Sequence, residues 1–88
     1  MKERLIEVKN PHGLHARPAA LFVQKAASHP GKVLIGKGEK EGDAKSILTV
    51  MSLGIEPGET IRLRAEGEKE QAEALLDALQ AIAQDQTI

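Results

Sequence analysis

The sequence contains no cysteine, no tryptophan and no tyrosine, and Phe22 is its single aromatic residue. Without cysteine there are no disulfides, no thiolate metal sites and no thiol nucleophile, and a reducing, cytoplasmic setting is the expectation. Without aromatics there are no stacking platforms of the kind that single-stranded nucleic acid binders use. Neither charge is in excess: 12 Lys and Arg face 13 Asp and Glu, for a net charge of -1. The basic residues are spread along the chain instead of gathered in a stripe, which argues against a nucleic acid partner. No apolar run approaches the roughly 20 residues that span a bilayer. The opening MKERLIEVKN also lacks the apolar block of a signal peptide. The three histidines are scattered, with no i, i+4 pair and no accompanying carboxylate motif, so neither a metal nor a cofactor is expected.

What is present suits one small domain spanning residues 1–88, with 41% apolar and 28% charged residues. A chain of this size buries only roughly 60 to 65% of its unfolded surface, enough for one core. Residues 3–8 alternate, with Ile6 and Val8 on one face and Glu3 and Glu7 on the other, as in a half-buried strand. From residue 18 to 27, Ala19, Phe22, Val23 and Ala26 recur at helical spacing and predict a helix with a core-facing stripe. Residues 32–37 read as a second strand and the segment near Asp43 as a third. Ser46 stands where a hydroxyl caps a short helix, and Gly54 where that helix stops. Residues 60–65 alternate again as a fourth strand, with Arg62 and Arg64 outward. Ala72, Leu75, Leu76, Leu79, Ile82 and Ala83 then mark a last amphipathic helix with an acidic first turn at Glu68 and Glu70. Strands that alternate this cleanly have one face on helices and one on water, which fits an α+β fold with an antiparallel or mixed sheet.

The chemistry concentrates in GLHARPAA, residues 13–20. Gly13 permits a sharp turn from strand to helix, and Pro18 suits a helix's first turn while steering Arg17 away from helical angles. His15 therefore lies at or beside the helix start, with either His15 or Arg17 as the cap. The partial positive charge there disfavours an imidazolium and leaves a ring nitrogen free to attack. Were the electrophile a phosphoryl group, its oxygens would meet the free N–H groups of Ala16 and Arg17 and the Arg17 guanidinium. His12 and His29 sit in Pro/Gly turns with no such surroundings. A freestanding enzyme would need a second acid or base, a P-loop or a metal motif beside His15, and none is apparent.

GLHARPAA, together with AKSILTVMSLGI at residues 44–55, resembles the HPr family, the histidine-containing phosphocarriers of the bacterial phosphoenolpyruvate-dependent sugar phosphotransferase system. The resemblance runs the length of the chain. It implies an open-faced sandwich: a four-stranded antiparallel sheet with three helices on one face, in the order βαββαβα. It also implies that His15 accepts a phosphoryl group on Nδ1 from phospho-enzyme I and passes it to the IIA domains of sugar permeases, with Arg17 helping to hold the phosphate. Ser46 matches the serine that an ATP-dependent HPr kinase/phosphorylase modifies in many Gram-positive bacteria, and a transcriptional regulator is a further partner on that reading. A serine before a helix is also an ordinary cap, and the two roles are compatible.

Residues lying away from the core stripes outline a docking face: Ala16, Ala20, Leu21, Gln24 and Ala27 on the first helix, and Ile47, Leu48 and Met51 on the second. A shuttle must release its partners, which suits a monomer with small interfaces. Thr49 departs from the glycine frequent in Gram-positive members, and His12 is unusual for its loop. The alternative function is a regulatory or nitrogen-branch paralogue acting mainly through protein binding.

Overall fold

A computed structural model describes all 88 residues. Its elements run β1 (Lys2–Glu7), α1 (Ala16–Ala27), β2 (Val33–Lys37), β3 (Lys40–Asp43), α2 (Ile47–Ser52), β4 (Thr60–Ala65) and α3 (Lys69–Ala83). The four strands form one antiparallel sheet in the order β1-β4-β2-β3. This is the βαββαβα arrangement with three helices.

Strand alternation decides which face is covered. Ile6, Val33, Ile35, Ile61, Leu63 and Ala65 point inward and are almost wholly buried. They meet Ala19, Phe22 and Ala26 of α1, Val50 of α2, and Ala72, Leu75, Leu76, Leu79 and Ala83 of α3 in one continuous core. The opposite sheet face is left to water and carries charge: Arg62 and Arg64 both reach Glu41, and Arg64 also lies 3.9 Å from Glu3. Burying Phe22, the largest of the fully buried side chains, against these elements anchors α1 to the sheet, and truncating it to alanine would cost about 3–5 kcal/mol.

Helix α1 begins at Ala16, two residues before the apolar periodicity places it. Pro18 does not push Arg17 out of the helix; it occupies the third helical position, where a missing N–H costs nothing, and Arg17 is the second. The conformational burden falls on Ala16, whose φ of 50° makes it the one non-glycine residue in the left-handed region. Val23 and Ile82, read from the periodicity as core, are only partly buried against it.

Asn10 fastens the loop after β1 to the far end of the chain. Its Nδ2 donates to the carbonyls of Ile82 and Asp85, each at 2.8 Å, so two acceptors at the end of α3 are satisfied by a buried side chain. His29 is likewise buried, its Nε2 lying 2.6 Å from the Glu66 carbonyl. It belongs to the packing between the end of α1 and the end of β4 and is not exposed for chemistry.

Candidate functional site

The site is assembled where the start of α1 meets the loop leaving α2. Gly13 takes a φ of 79°, and a side chain there would be impossible: a Cβ would lie 2.2 Å from the Ile55 carbonyl oxygen and 3.0 Å from the Glu56 Cα. The absence of a Cβ lets the two loops touch, and the Leu14 N–H donates to the Ile55 carbonyl at 3.1 Å to hold them there. Leu14 is fully buried beneath. His15 follows immediately and is the N-cap of α1, with extended backbone angles of −124° and 163°.

As a cap His15 is unusual, because its side chain makes no hydrogen bond to the helix end. Ala16 and Arg17 therefore keep N–H groups that have no intrahelical acceptor, and Pro18 contributes none. A cluster of two free amides at the positive end of a 12-residue helix remains open to an anion beside the imidazole. Arg17 is exposed and forms neither a hydrogen bond nor an ion pair within the chain, so its guanidinium is unengaged.

The imidazole is held from the other side. His15 Nε2 lies 2.8 Å from Glu56 Oε2, a residue 41 positions along the chain. A carboxylate only accepts, so Nε2 donates, and Nδ1, which makes no hydrogen bond within the chain, is the nitrogen with a lone pair when the ring is neutral. Glu56 is itself fixed through its backbone, since its N–H donates to Glu59 Oε1 at 2.7 Å. That same oxygen accepts from Lys37 Nζ at 2.8 Å. The Lys37 bond, followed by that from the Glu56 N–H, holds the Glu59 carboxyl below the ordinary glutamate range. Glu56 has no counterpart in the sequence reading, where the segment EPGE signals only a turn.

Ser46 caps α2: its Oγ accepts from the Thr49 N–H at 3.3 Å. Next to it Ile47, Leu48 and Met51 are exposed, Leu48 by 81%. Ala16, Ala20, Gln24 and Ala27 are exposed on α1, which packs against α2. Leu21 is half-buried and lines a shallow depression shared with Ile82 of α3, on a different flank from the α2 residues. No group of three or more His, Asp or Glu side chains converges in a way that would hold a metal ion, and no helix is long and apolar enough to cross a membrane.

The family model for the PTS HPr component phosphorylation site matches residues 2–85. The chain belongs to the HPr family. The HPr-like protein Crh of Halalkalibacterium halodurans is 50% identical over 78 residues, covering 86% of this chain and 93% of the relative. The phosphocarrier protein HPr of Mycoplasma pneumoniae is 39% identical, with 93% and 92% covered. Among solved structures, the phosphocarrier protein HPr of Bacillus anthracis superposes with a TM-score of 0.87 at 42% identity, covering 94% of this chain and 96% of that one. The fold described above is thus the HPr fold, and the chain is an HPr-family phosphocarrier.

Proposed function

We propose that this protein carries phosphoryl groups in a phosphoenolpyruvate-dependent sugar phosphotransferase system, taking them from phospho-enzyme I on His15 and giving them to the IIA domains of sugar permeases. The observation that supports this most directly is the pairing of an uncapped helix start with a ring whose Nδ1 is free. The nitrogen lone pair attacks phosphorus, and the phosphoryl oxygens come to the N–H groups of Ala16 and Arg17 and to the Arg17 guanidinium. These contacts favour the charged phosphoryl group over the empty site. The exposed Ile47, Leu48 and Met51, with Ala16, Ala20, Gln24 and Ala27, form the docking face, and Leu21 extends it toward α3. The whole chain acts as one domain, cytoplasmic, as a monomer and without cofactor or metal.

Intact-protein mass spectrometry after incubation with phosphoenolpyruvate and a bacterial enzyme I tests the reading. One acid-labile phosphoryl group on the wild type and none on His15→Ala is the expected result; no transfer to the folded wild type would overturn it.

A second, regulatory reading is favoured by the relatives named HPr-like protein Crh, 50% and 44% identical. On it Ser46 takes a phosphoryl group from an ATP-dependent HPr kinase/phosphorylase, and the modified face engages a transcriptional regulator. The same mass measurement, repeated with ATP and an HPr kinase/phosphorylase, separates the two, since a serine ester survives acid. A chain modified only at Ser46 would assign the regulatory role.

A further inference from the structure

We infer that Glu56 is a positioning residue for phosphoryl transfer: its carboxylate holds the proton on His15 Nε2, so that Nδ1 is always the nitrogen that attacks and leaves. This rests on the carrier reading of His15 and specifies how the ring is prepared for it.

Three observations carry the inference. The first is the 2.8 Å contact between His15 Nε2 and Glu56 Oε2. The second is that the contact is built into the backbone. Gly13 admits the Glu56 Cα to within 3.0 Å of where a Cβ would stand, the Leu14 N–H binds the Ile55 carbonyl, and the Glu56 N–H is held by Glu59, which Lys37 holds in turn. Glu56 therefore faces His15 because two loops are locked together, and not through the chance reach of a long side chain. The third is that the remaining ring nitrogen, Nδ1, has no partner in the chain, while the unengaged N–H groups of Ala16 and Arg17 lie at the helix start that His15 itself caps.

The chemistry follows from the two nitrogens being made unequal. A neutral imidazole in solution exchanges its proton between Nδ1 and Nε2, and a ring protonated on Nδ1 cannot attack from there. A carboxylate at Nε2 selects the productive tautomer, since the other would set a nitrogen lone pair against carboxylate oxygens. In uptake, the Nδ1 lone pair forms a bond to phosphorus while the donor's bond to phosphorus breaks, its electron pair remaining with the donor. The Nε2 proton stays in place, and the positive charge that the ring acquires faces the Glu56 carboxylate. In discharge, the Nδ1–P bond breaks as the acceptor's bond to phosphorus forms. Its electron pair returns to Nδ1, and the ring is neutral again with the Nε2–H still donated to Glu56. Neither direction requires a proton to move.

The test is nitrogen-15 NMR of labelled imidazole in the wild type, Glu56→Ala and Glu56→Gln, alongside rapid-quench rates of phosphoryl uptake from enzyme I and discharge to a IIA domain. The Glu56 side chain is 62% exposed, so both variants are expected to fold, which amide spectra check directly. The wild type shows the Nε2–H tautomer predominating. Glu56→Ala loses that preference and both rates fall about tenfold, the scale of one charge-assisted hydrogen bond. Glu56→Gln keeps the length but can donate as well as accept, and it groups with Glu56→Ala. Unchanged tautomers and rates in both variants, with the wild type still phosphorylated, overturn the positioning role alone. A wild type that takes no phosphoryl group overturns the carrier reading and this role with it.

Discussion

Thr49 fills the space that Gly42 leaves empty. A Cβ on residue 42 of β3 would come 2.5 Å from Thr49 Cγ2 on α2, so the short helix lies close to the sheet edge only because one partner is a glycine and the other a branched side chain. A threonine at 49 is thus accommodated across the interface by the missing side chain at 42, and the two positions form a matched pair. Thr49 also supplies the N–H that Ser46 caps, which links this packing to the site.

Coupling between the two should be measurable. Gly42→Ala is expected to destabilise the protein by about 1–2 kcal/mol through overpacking. In a Thr49→Ala background, where the methyl group is gone, the same change should cost less than about 0.5 kcal/mol. Urea unfolding of the four proteins in the cycle measures this, and simple additivity would show that the two residues do not press on one another.

Capping and charge at Ser46 can be pulled apart. Ser46→Ala should lower stability by about 0.5–1 kcal/mol, the low end for a lost cap given the long bond, whereas Ser46→Asp keeps an acceptor and should stay near the wild type. Phosphoryl uptake from enzyme I should respond in the opposite order, slowed by aspartate and unaffected by alanine. A rate lost in Ser46→Ala would mean that the cap itself shapes the docking face.

Relief of the backbone at Ala16 is a further measurable effect. A left-handed φ costs alanine about 1–2 kcal/mol, part of which is offset by glycine's greater unfolded-state freedom, so Ala16→Gly should raise stability by about 0.5–1 kcal/mol. The residue is exposed, so no packing is lost. A drop in the unfolding midpoint at unchanged slope would contradict this.

Arg17 should be dispensable for folding and needed for transfer. With no partner inside the chain, Arg17→Ala is expected to change stability by less than about 0.5 kcal/mol. Phosphoryl uptake should slow by at least about tenfold, because a charge-assisted contact to the phosphoryl oxygens is removed. Rapid-quench kinetics beside thermal melts compare the two, and equal rates would remove Arg17 from the site.

The Glu59 carboxyl gives the protein an acid limb with a known sign. Its folded-state value is depressed, chiefly by the Lys37 hydrogen bond and next by the Glu56 N–H, with the Lys37 charge adding and partial desolvation opposing. Stability from this group is therefore fully present above the ordinary glutamate range and is lost as pH falls through the lowered value. Lys37→Met should flatten the fall in stability between pH ~5 and ~2 relative to the wild type. Urea midpoints across that range supply the comparison, and parallel curves would show that the pair contributes nothing.

Much of this was legible in the order of residues. The alternation of residues 3–8 and 60–65 and the stripe through Phe22 reflect burial on one face, a local property that a period of two or 3.6 reports directly. The cap at Ser46 and the placement of His15 follow from short-range chemistry as well. What escaped is non-local. Glu56 reaches His15 across 41 positions, and nothing in EPGE says which loop it will face. The start of α1 was misplaced because proline's effect on its predecessor is a statistical steer, overridden once Gly13 and Ala16 absorb the turn with positive φ. His29 does lie in the turn that its Pro/Gly setting indicates, but its burial depends on Glu66, just past β4 and 37 positions away, which no local pattern reports.

Because β4 is the one strand that β1 pairs with, β1 emerging from a ribosome has no neighbouring strand until residues 60–65 exist, Lys2 waiting for Ala65. Only the β2–β3 hairpin, turned at Gly38, can pair from residues close in sequence. The loop that carries His15 is in the same position: Asn10 waits for the carbonyls of Ile82 and Asp85, and Leu14 for Ile55. A nascent chain stopped before α3 holds the histidine and the arginine but lacks the carbonyls that fasten their loop, so the geometry of that loop is complete only once residues 82–85 have been made.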